Sequence, residues 1–182
     1  MLFTELALAG AYIVDLEKRE DSRGFFGRTY CQREFGDHGL ATQMPQSNAS
    51  FSKMRGTLRG MHYQEVPYEE AKLVRCTRGA IFDVIVDVRP HSPTFREWTG
   101  VELTEENHRM LYVPEGFAHG FITLVNDTEV NYQVSQFYAP GHERGLRYND
   151  TSIGIEWPVD VNVISDKDET WPAFSPSVSA NL

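Results

Sequence analysis

Apolar and polar residues alternate with period two through most of this chain, in short runs punctuated by Gly, Pro, Asn or Asp roughly every eight to fifteen residues, which is strand behaviour. Ala80–Val88 is the clearest run: Phe82, Val84, Val86 and Val88 fall on one face and Ile81, Asp83, Ile85 and Asp87 on the other, before Arg89-Pro90 and Ser92-Pro93 stop it. The same pattern predicts strands over 11–15, 72–77, 98–103, 109–113, 120–124 and 129–137. In the last of these Val130, Tyr132 and Val134 share an apolar face. Helix is scarce: Cys31 to His38 fits a short one, and Thr104-Glu105-Glu106-Asn107 fits a turn capped by the Thr side chain. So many strands in one unit favour an all-β sandwich or barrel with covered edges, most simply a jelly roll.

The 182 residues fit a single domain spanning 1–182. From Asn149 to Thr170 six acidic residues stand against Lys167 alone, and with Trp157-Pro158 beside them they read as an irregular C-terminal arm; residues 171–182, rich in Ser and Pro, read as a loose tail. A formal charge of −9 argues against nucleic acid or an anionic membrane as partner. One stretch departs from that balance. Between Phe51 and Arg78 six cations (Lys53, Arg55, Arg59, Lys72, Arg75, Arg78) face three anions (Glu65, Glu69, Glu70), a local excess that suits an anionic small molecule. Cys31 and Cys76 form no metal or redox motif and read as free thiols. The amino-terminal residues lack a basic region and cleavage site, so a cytoplasmic protein is expected.

Within the basic stretch, Arg59-Gly60-Met61-His62-Tyr63-Gln64, followed by Lys72, sets a titratable base, a guanidinium and an ammonium in what reads as one short loop and the start of a strand. Such groups can take a proton from carbon beside a carbonyl and hold the resulting negative charge. A second signature, Pro114-Glu115-Gly116-Phe117-Ala118-His119-Gly120, joins two strands and resembles the second conserved element of the cupin superfamily of jelly-roll barrels. Gly56 to Gly79 resembles a degenerate first element. Metal-binding cupins place a second histidine two positions after the first, where this chain has Gln64, and Glu69 or Glu70 would have to complete a site with His62 and His119. A bound metal is therefore not expected.

The ordered motifs resemble something narrower than cupins in general. Asp21-Ser22-Arg23-Gly24-Phe25-Phe26, Gln46-x-Asn48, Gly56 through Gln64, Lys72-Leu73-Val74-Arg75, Phe82-Asp83-Val84, Val86-Asp87-Val88-Arg89, Ser92-Pro93-Thr94-Phe95, Val113 through Phe121, Tyr138-Ala139-Pro140, Trp157-Pro158 and Ser165-x-Lys167-Asp168 follow the pattern of the nucleotide-sugar 3,5-epimerases typified by dTDP-4-dehydrorhamnose 3,5-epimerase. The resemblance covers about residues 4 to 170. It implies a cofactor-independent isomerase of deoxysugar biosynthesis that inverts C3 and C5 of a nucleoside-diphosphate 4-keto-6-deoxyhexose through enolates. It further implies a homodimer in which strands cross between subunits. By resemblance His62 is the base and Asp168 its carboxylate partner, Lys72 stabilises the enolate and Tyr132 returns a proton from the opposite face. His119 and Asp83 would line the sugar pocket, while Arg23, Phe26, Gln46, Asn48, Arg59, Tyr138, Glu143 and Lys167 would bind the nucleotide diphosphate. Taken singly, Tyr132 reads as core and Asp168 as a solvent-facing acid. Two departures from the pattern, Arg28 in place of an acidic residue and a 46–59 loop one residue longer, leave open a CDP- or GDP-linked sugar. Rival expectations are a C3-only epimerase, a metal-dependent cupin enzyme such as an oxygenase, and a non-catalytic sugar-nucleotide sensor.

Overall fold

The computed structural model describes residues 1–174. Along the chain it runs β1 (Leu2–Glu5), β2 (Tyr12–Asp15), β3 (Arg19–Asp21), β4 (Gly24–Phe26), α1 (Gln32–Asp37), β5 (Gln46–Ser52), β6 (Leu58–Gln64), β7 (Lys72–Arg78) and β8 (Ala80–Asp87). It continues through β9 (Trp98–Thr104), β10 (Met110–Val113), β11 (Phe117–Thr123), β12 (Thr128–Val134), β13 (Glu143–Gly145) and α2 (Asp166–Glu169). Antiparallel pairing builds a six-stranded sheet in the order β1-β2-β10-β7-β12-β5 and a five-stranded sheet in the order β13-β6-β11-β8-β9, with β3 and β4 as a separate hairpin. The architecture is the all-β jelly roll that the alternation predicts, of the cupin type that the motif resemblance implies. Among the described residues no helix is long and apolar enough to cross a membrane.

Period two decides which side chains meet. Val74 and Cys76 of β7, Ile81 and Ile85 of β8, Val101 and Leu103 of β9, Phe117 and Phe121 of β11 and Val130 of β12 interdigitate between the sheets as the main core. The outer face of the six-stranded sheet, including Leu73, Met110 and Tyr112, is covered by Phe35 of α1 together with Leu16 and Leu40. The outer face of the five-stranded sheet, with Val84 and Val86 of β8 and Val88 just beyond it, is covered by Leu146, which follows β13, and by Ile153 of the C-terminal arm. The acidic arm is thus irregular, as expected, yet it acts as a lid on a hydrophobic face. That is why both faces of β8 are buried.

Several expectations need correction. The 59–64 run, read as a loop, is strand β6, hydrogen-bonded to β11 on one side and β13 on the other. Gly60 had interrupted the alternation there. β12 ends at Val134 rather than at 137, and Phe137 is exposed. Part of the expected loose tail is held: Arg147 Nε donates to the Trp171 carbonyl at 3.1 Å, and Asp150 accepts from the Phe174 N–H. The rest of that tail, 175–182, lies outside the described residues. Thr104 does cap its turn, its hydroxyl accepting from the N–H groups of Glu106 and Asn107.

Candidate active site

A cavity of about 390 Å³ opens at one end of the space between the two sheets. The interior faces that carry the apolar core continue into it, but with polar side chains. On β7 the inward positions run Cys76, Val74, Lys72; on β12 they run Val130, Tyr132, Val134. β5 pairs with β12 so that Asn48 stands opposite Tyr132 and Gln46 opposite Val134. Lys72 in turn stands opposite Val134 on the other side of β12. One wall is therefore Lys72, Tyr132, Asn48 and Gln46, fixed by register.

The opposite wall comes from β6 and β11. His62 pairs with His119, but Arg59 pairs with Phe121, so β6 holds one extra residue between them. Residues three apart on a regular strand face opposite ways; this bulge lets both Arg59 and His62 line the cavity. Glycine makes the bulge possible. Gly60 has φ of 120°, and a Cβ there would come within 2.5 Å of the Gly120 Cα.

His62 is the centre of this wall. Its Nε2 lies 2.6 Å from Oδ1 of Asp168, which α2 brings in from the far end of the chain. Asp168 is buried, and its second oxygen accepts the Gly60 N–H at 3.3 Å. Burial alone would raise the Asp168 carboxyl; the hydrogen bond and charge of His62, with the Gly60 and Ser165 donors, outweigh it and hold the carboxyl below its ordinary range. An ionised carboxylate only accepts, so Nε2 donates to it, which in the neutral imidazole puts the lone pair on Nδ1. Glu143 Oε1 stands 3.8 Å from that Nδ1.

Tyr132 faces this dyad across the cavity. Among the described residues its hydroxyl has no hydrogen-bond partner, so it is free to serve a ligand. Burial first, then the negative charges of Glu70 and Glu143, push its phenol above the usual value against the opposing pull of Arg59. It therefore remains a proton donor at neutral pH. Lys72 Nζ lies 3.1 Å from Glu70 Oε1 and 3.4 Å from the His62 carbonyl oxygen.

The residues expected at a site divide clearly. His62, Tyr132, Asp168, Lys72, Gln46, Asn48, Arg59, His119, Tyr138 and Glu143 line one cavity. Asp83 stands behind the wall: fully buried, it pairs through Oδ1 with His119 Nε2 at 2.8 Å and so acts on the cavity only through that ring. Lys167 lies outside the lining but bonds Glu143. Arg23 and Phe26 sit on the exposed β3–β4 hairpin and do not reach the cavity of their own chain. The expected basic patch does not converge either. Arg59 and Lys72 line the cavity, whereas Arg75 points to the outer face of the sheet, because β7 alternates; Glu70, Glu143 and Asp168 make the lining mixed. Arg28, the inverted charge, pairs with Glu34 at 2.7 Å.

Gln64, at the missing histidine position, spends its amide on structure: it accepts the Ala139 N–H at 2.7 Å and donates to the Tyr68 carbonyl at 3.0 Å. No group of three or more metal-ligating side chains occurs among the described residues. Ser50 and Glu70 line the cavity without having been singled out as substrate contacts. Spacing could have found Ser50, since 46, 48 and 50 alternate along one face of β5.

Comparison with known proteins decides the family. Residues 5–176 match the family described as dTDP-4-dehydrorhamnose 3,5-epimerase. The chain belongs to that family. A dTDP-4-dehydrorhamnose 3,5-epimerase of Sinorhizobium fredii is 44% identical over 175 residues, covering 96% of this chain and 90% of the relative. The crystal structure of the Bacillus anthracis dTDP-4-dehydrorhamnose 3,5-epimerase with TDP and PPi bound superposes with a TM-score of 0.91 at 41% identity, covering 95% of this chain and 99% of that one. A 3'-monoepimerase from Streptomyces bikiniensis in complex with dTDP-quinovose gives 0.84 at 35% identity, with 92% and 85% covered. The molecule is a sugar epimerase of this family, built on its jelly roll.

Proposed function

We propose that this enzyme epimerises C3 and C5 of dTDP-4-dehydro-6-deoxy-D-glucose to give dTDP-4-dehydro-L-rhamnose, without metal or organic cofactor. Hydrogens on the two carbons flanking the C4 ketone are acidic because the carbanion delocalises onto oxygen, and an ammonium beside that oxygen supplies the electrophile. His62 takes the proton at Nδ1, and Asp168 steadies the imidazolium that forms. Lys72 faces the enolate oxygen, and Tyr132 delivers a proton to the opposite face. The observation that carries this reading is that the His62–Asp168 dyad and the Tyr132 hydroxyl stand on opposite walls of one cavity, with Lys72 beside them.

Arg59, Gln46, Asn48, Tyr138, Glu143 and Lys167 would hold the nucleotide diphosphate at the mouth, with His119, steadied by Asp83, on the sugar. The position of the β3–β4 hairpin, away from its own cavity, favours a homodimer in which Arg23 and Phe26 serve the second subunit. A cytoplasmic setting suits the two unpaired cysteines. The test is isotope exchange in deuterated water. Wild-type protein should place deuterium at both C3 and C5, and His62→Ala should abolish both; exchange surviving in that variant removes His62 as the base. The similarity to a 3'-monoepimerase keeps C3-only inversion as the second reading, and a single deuteron per product would select it.

A further inference from the structure

The segment between β6 and β7 turns Glu70 into the cavity, its side chain only 14% exposed. Both oxygens are engaged. Oε1 takes the Lys72 ammonium at 3.1 Å, and Oε2 takes the Gln64 amide N–H at 3.1 Å. Gln64 cannot turn round, because its own oxygen already accepts the Ala139 N–H. Position 70 therefore meets a donor at each end, a demand that a carboxylate fulfils with an acceptor on both sides. A glutamine would set an N–H against one of the two donors.

The Lys72 side chain is only 9% exposed, and its other polar contact is the long one to the His62 carbonyl. A charge so far removed from water depends on its partner. The other charged or titratable groups lining this space are Arg59, His62 and Tyr63 from β6, His119 from β11, Tyr132 from β12, Tyr138 from the segment after β12, Glu143 from β13 and Asp168 from α2. Of the three carboxylates, Asp168 is bound to His62 and Glu143 to Lys167, which leaves Glu70 as the counter-charge of Lys72.

Resting on the epimerase reading above, we propose that Glu70 is a positioning residue of this reaction: clamped by the Gln64 amide, it holds the Lys72 ammonium at the cavity wall. Glu70 touches neither reacting carbon nor leaving proton; it acts through its neighbours. Its negative charge also stands near the Tyr132 phenol and favours the protonated hydroxyl, so removing it disturbs both the placement of the electrophile and the proton of the acid.

The test compares wild type with Glu70→Gln and Glu70→Asp, measuring kcat and KM for dTDP-4-dehydro-6-deoxy-D-glucose from neutral pH to pH 10, with thermal unfolding recorded for each. Glu70→Gln should leave KM within about twofold, lower the plateau kcat several-fold, and move the alkaline limb of kcat to lower pH, since the Tyr132 phenol loses its proton more readily without a neighbouring anion. Glu70→Asp, which keeps the charge on a shorter arm, should restore the limb more than the plateau. A glutamine variant whose alkaline limb coincides with that of wild type overturns the proposal, whether its plateau is unchanged or uniformly lowered by a smaller folded fraction. Wild-type protein with no isotope exchange at all would instead defeat the epimerase reading, so the two failures are distinct.

Discussion

Replacing Tyr132 by phenylalanine separates the two halves of the proposed reaction. The hydroxyl has no protein partner among the described residues, while the ring packs against the main core, so the variant keeps its packing and leaves no buried donor orphaned. Its stability should change by less than about 1 kcal/mol. Catalysis should change far more. Loss of a positioned general acid costs roughly 100- to 10,000-fold, which here falls on protonation from the face opposite His62. Proton abstraction remains, because the dyad lies on the other wall. In deuterated water the variant should exchange substrate hydrogens with retention of configuration, the enolate being reprotonated by the same imidazole, while inverted product falls by about the factor given for a lost general acid. Proton NMR reports exchange and configuration in one spectrum. Inversion within about tenfold of wild type would refute Tyr132 as the acid. Loss of exchange together with inversion, in a protein that still melts normally, would refute the two-wall arrangement.

Asp168→Asn keeps the shape of the dyad but removes its charge, and a charge-assisted hydrogen bond at 2.6 Å is worth about 1.5–3 kcal/mol, so kcat should fall by roughly 10- to 150-fold with KM little altered. The same substitution bears on acid stability. Because folding lowers the Asp168 pKa, its contribution is present above the ordinary aspartate value near ~4 and is lost as pH falls through the lower folded value; the variant should therefore lose less stability than wild type on titration below about pH 4. Asp150→Ala should unfasten the arm, since this acid accepts from the Ser152 N–H and hydroxyl and from the Phe174 N–H. A loss of about 1–3 kcal/mol in denaturant melts is expected, and an unchanged midpoint would show that the arm is held without it.

Much of this fold is legible in the sequence wherever period two is unbroken. β8 and β12 show their inward and outward faces in the residues themselves, and the inward face of β12 correctly aims Tyr132 at the interior. β6 is hidden for the opposite reason: Gly60 and the extra residue beside it break the alternation, and the bulge that obscures the strand is what brings Arg59 and His62 to one wall. Asp168 is illegible from local pattern, because its burial depends on a partner 106 positions away. Only the ordered motifs of the family pointed to it. The short strands β1, β3, β4 and β13 are too brief for periodicity to register. The apparent basic patch failed because a sum of charges over a window ignores which side of a strand each charge occupies.

The C-terminal arm has a consequence for the order of synthesis. His62 leaves the ribosome early, and the strands around it can pair as they emerge, but the carboxylate that completes its dyad arrives with α2, more than a hundred residues later. The same arm seals the apolar outer face of the five-stranded sheet. A nascent or proteolytically shortened chain ending before Ser165 would thus carry a nearly finished barrel with His62 lacking Asp168. On the proposed chemistry, completing the dyad and completing the chain fall to the same few residues.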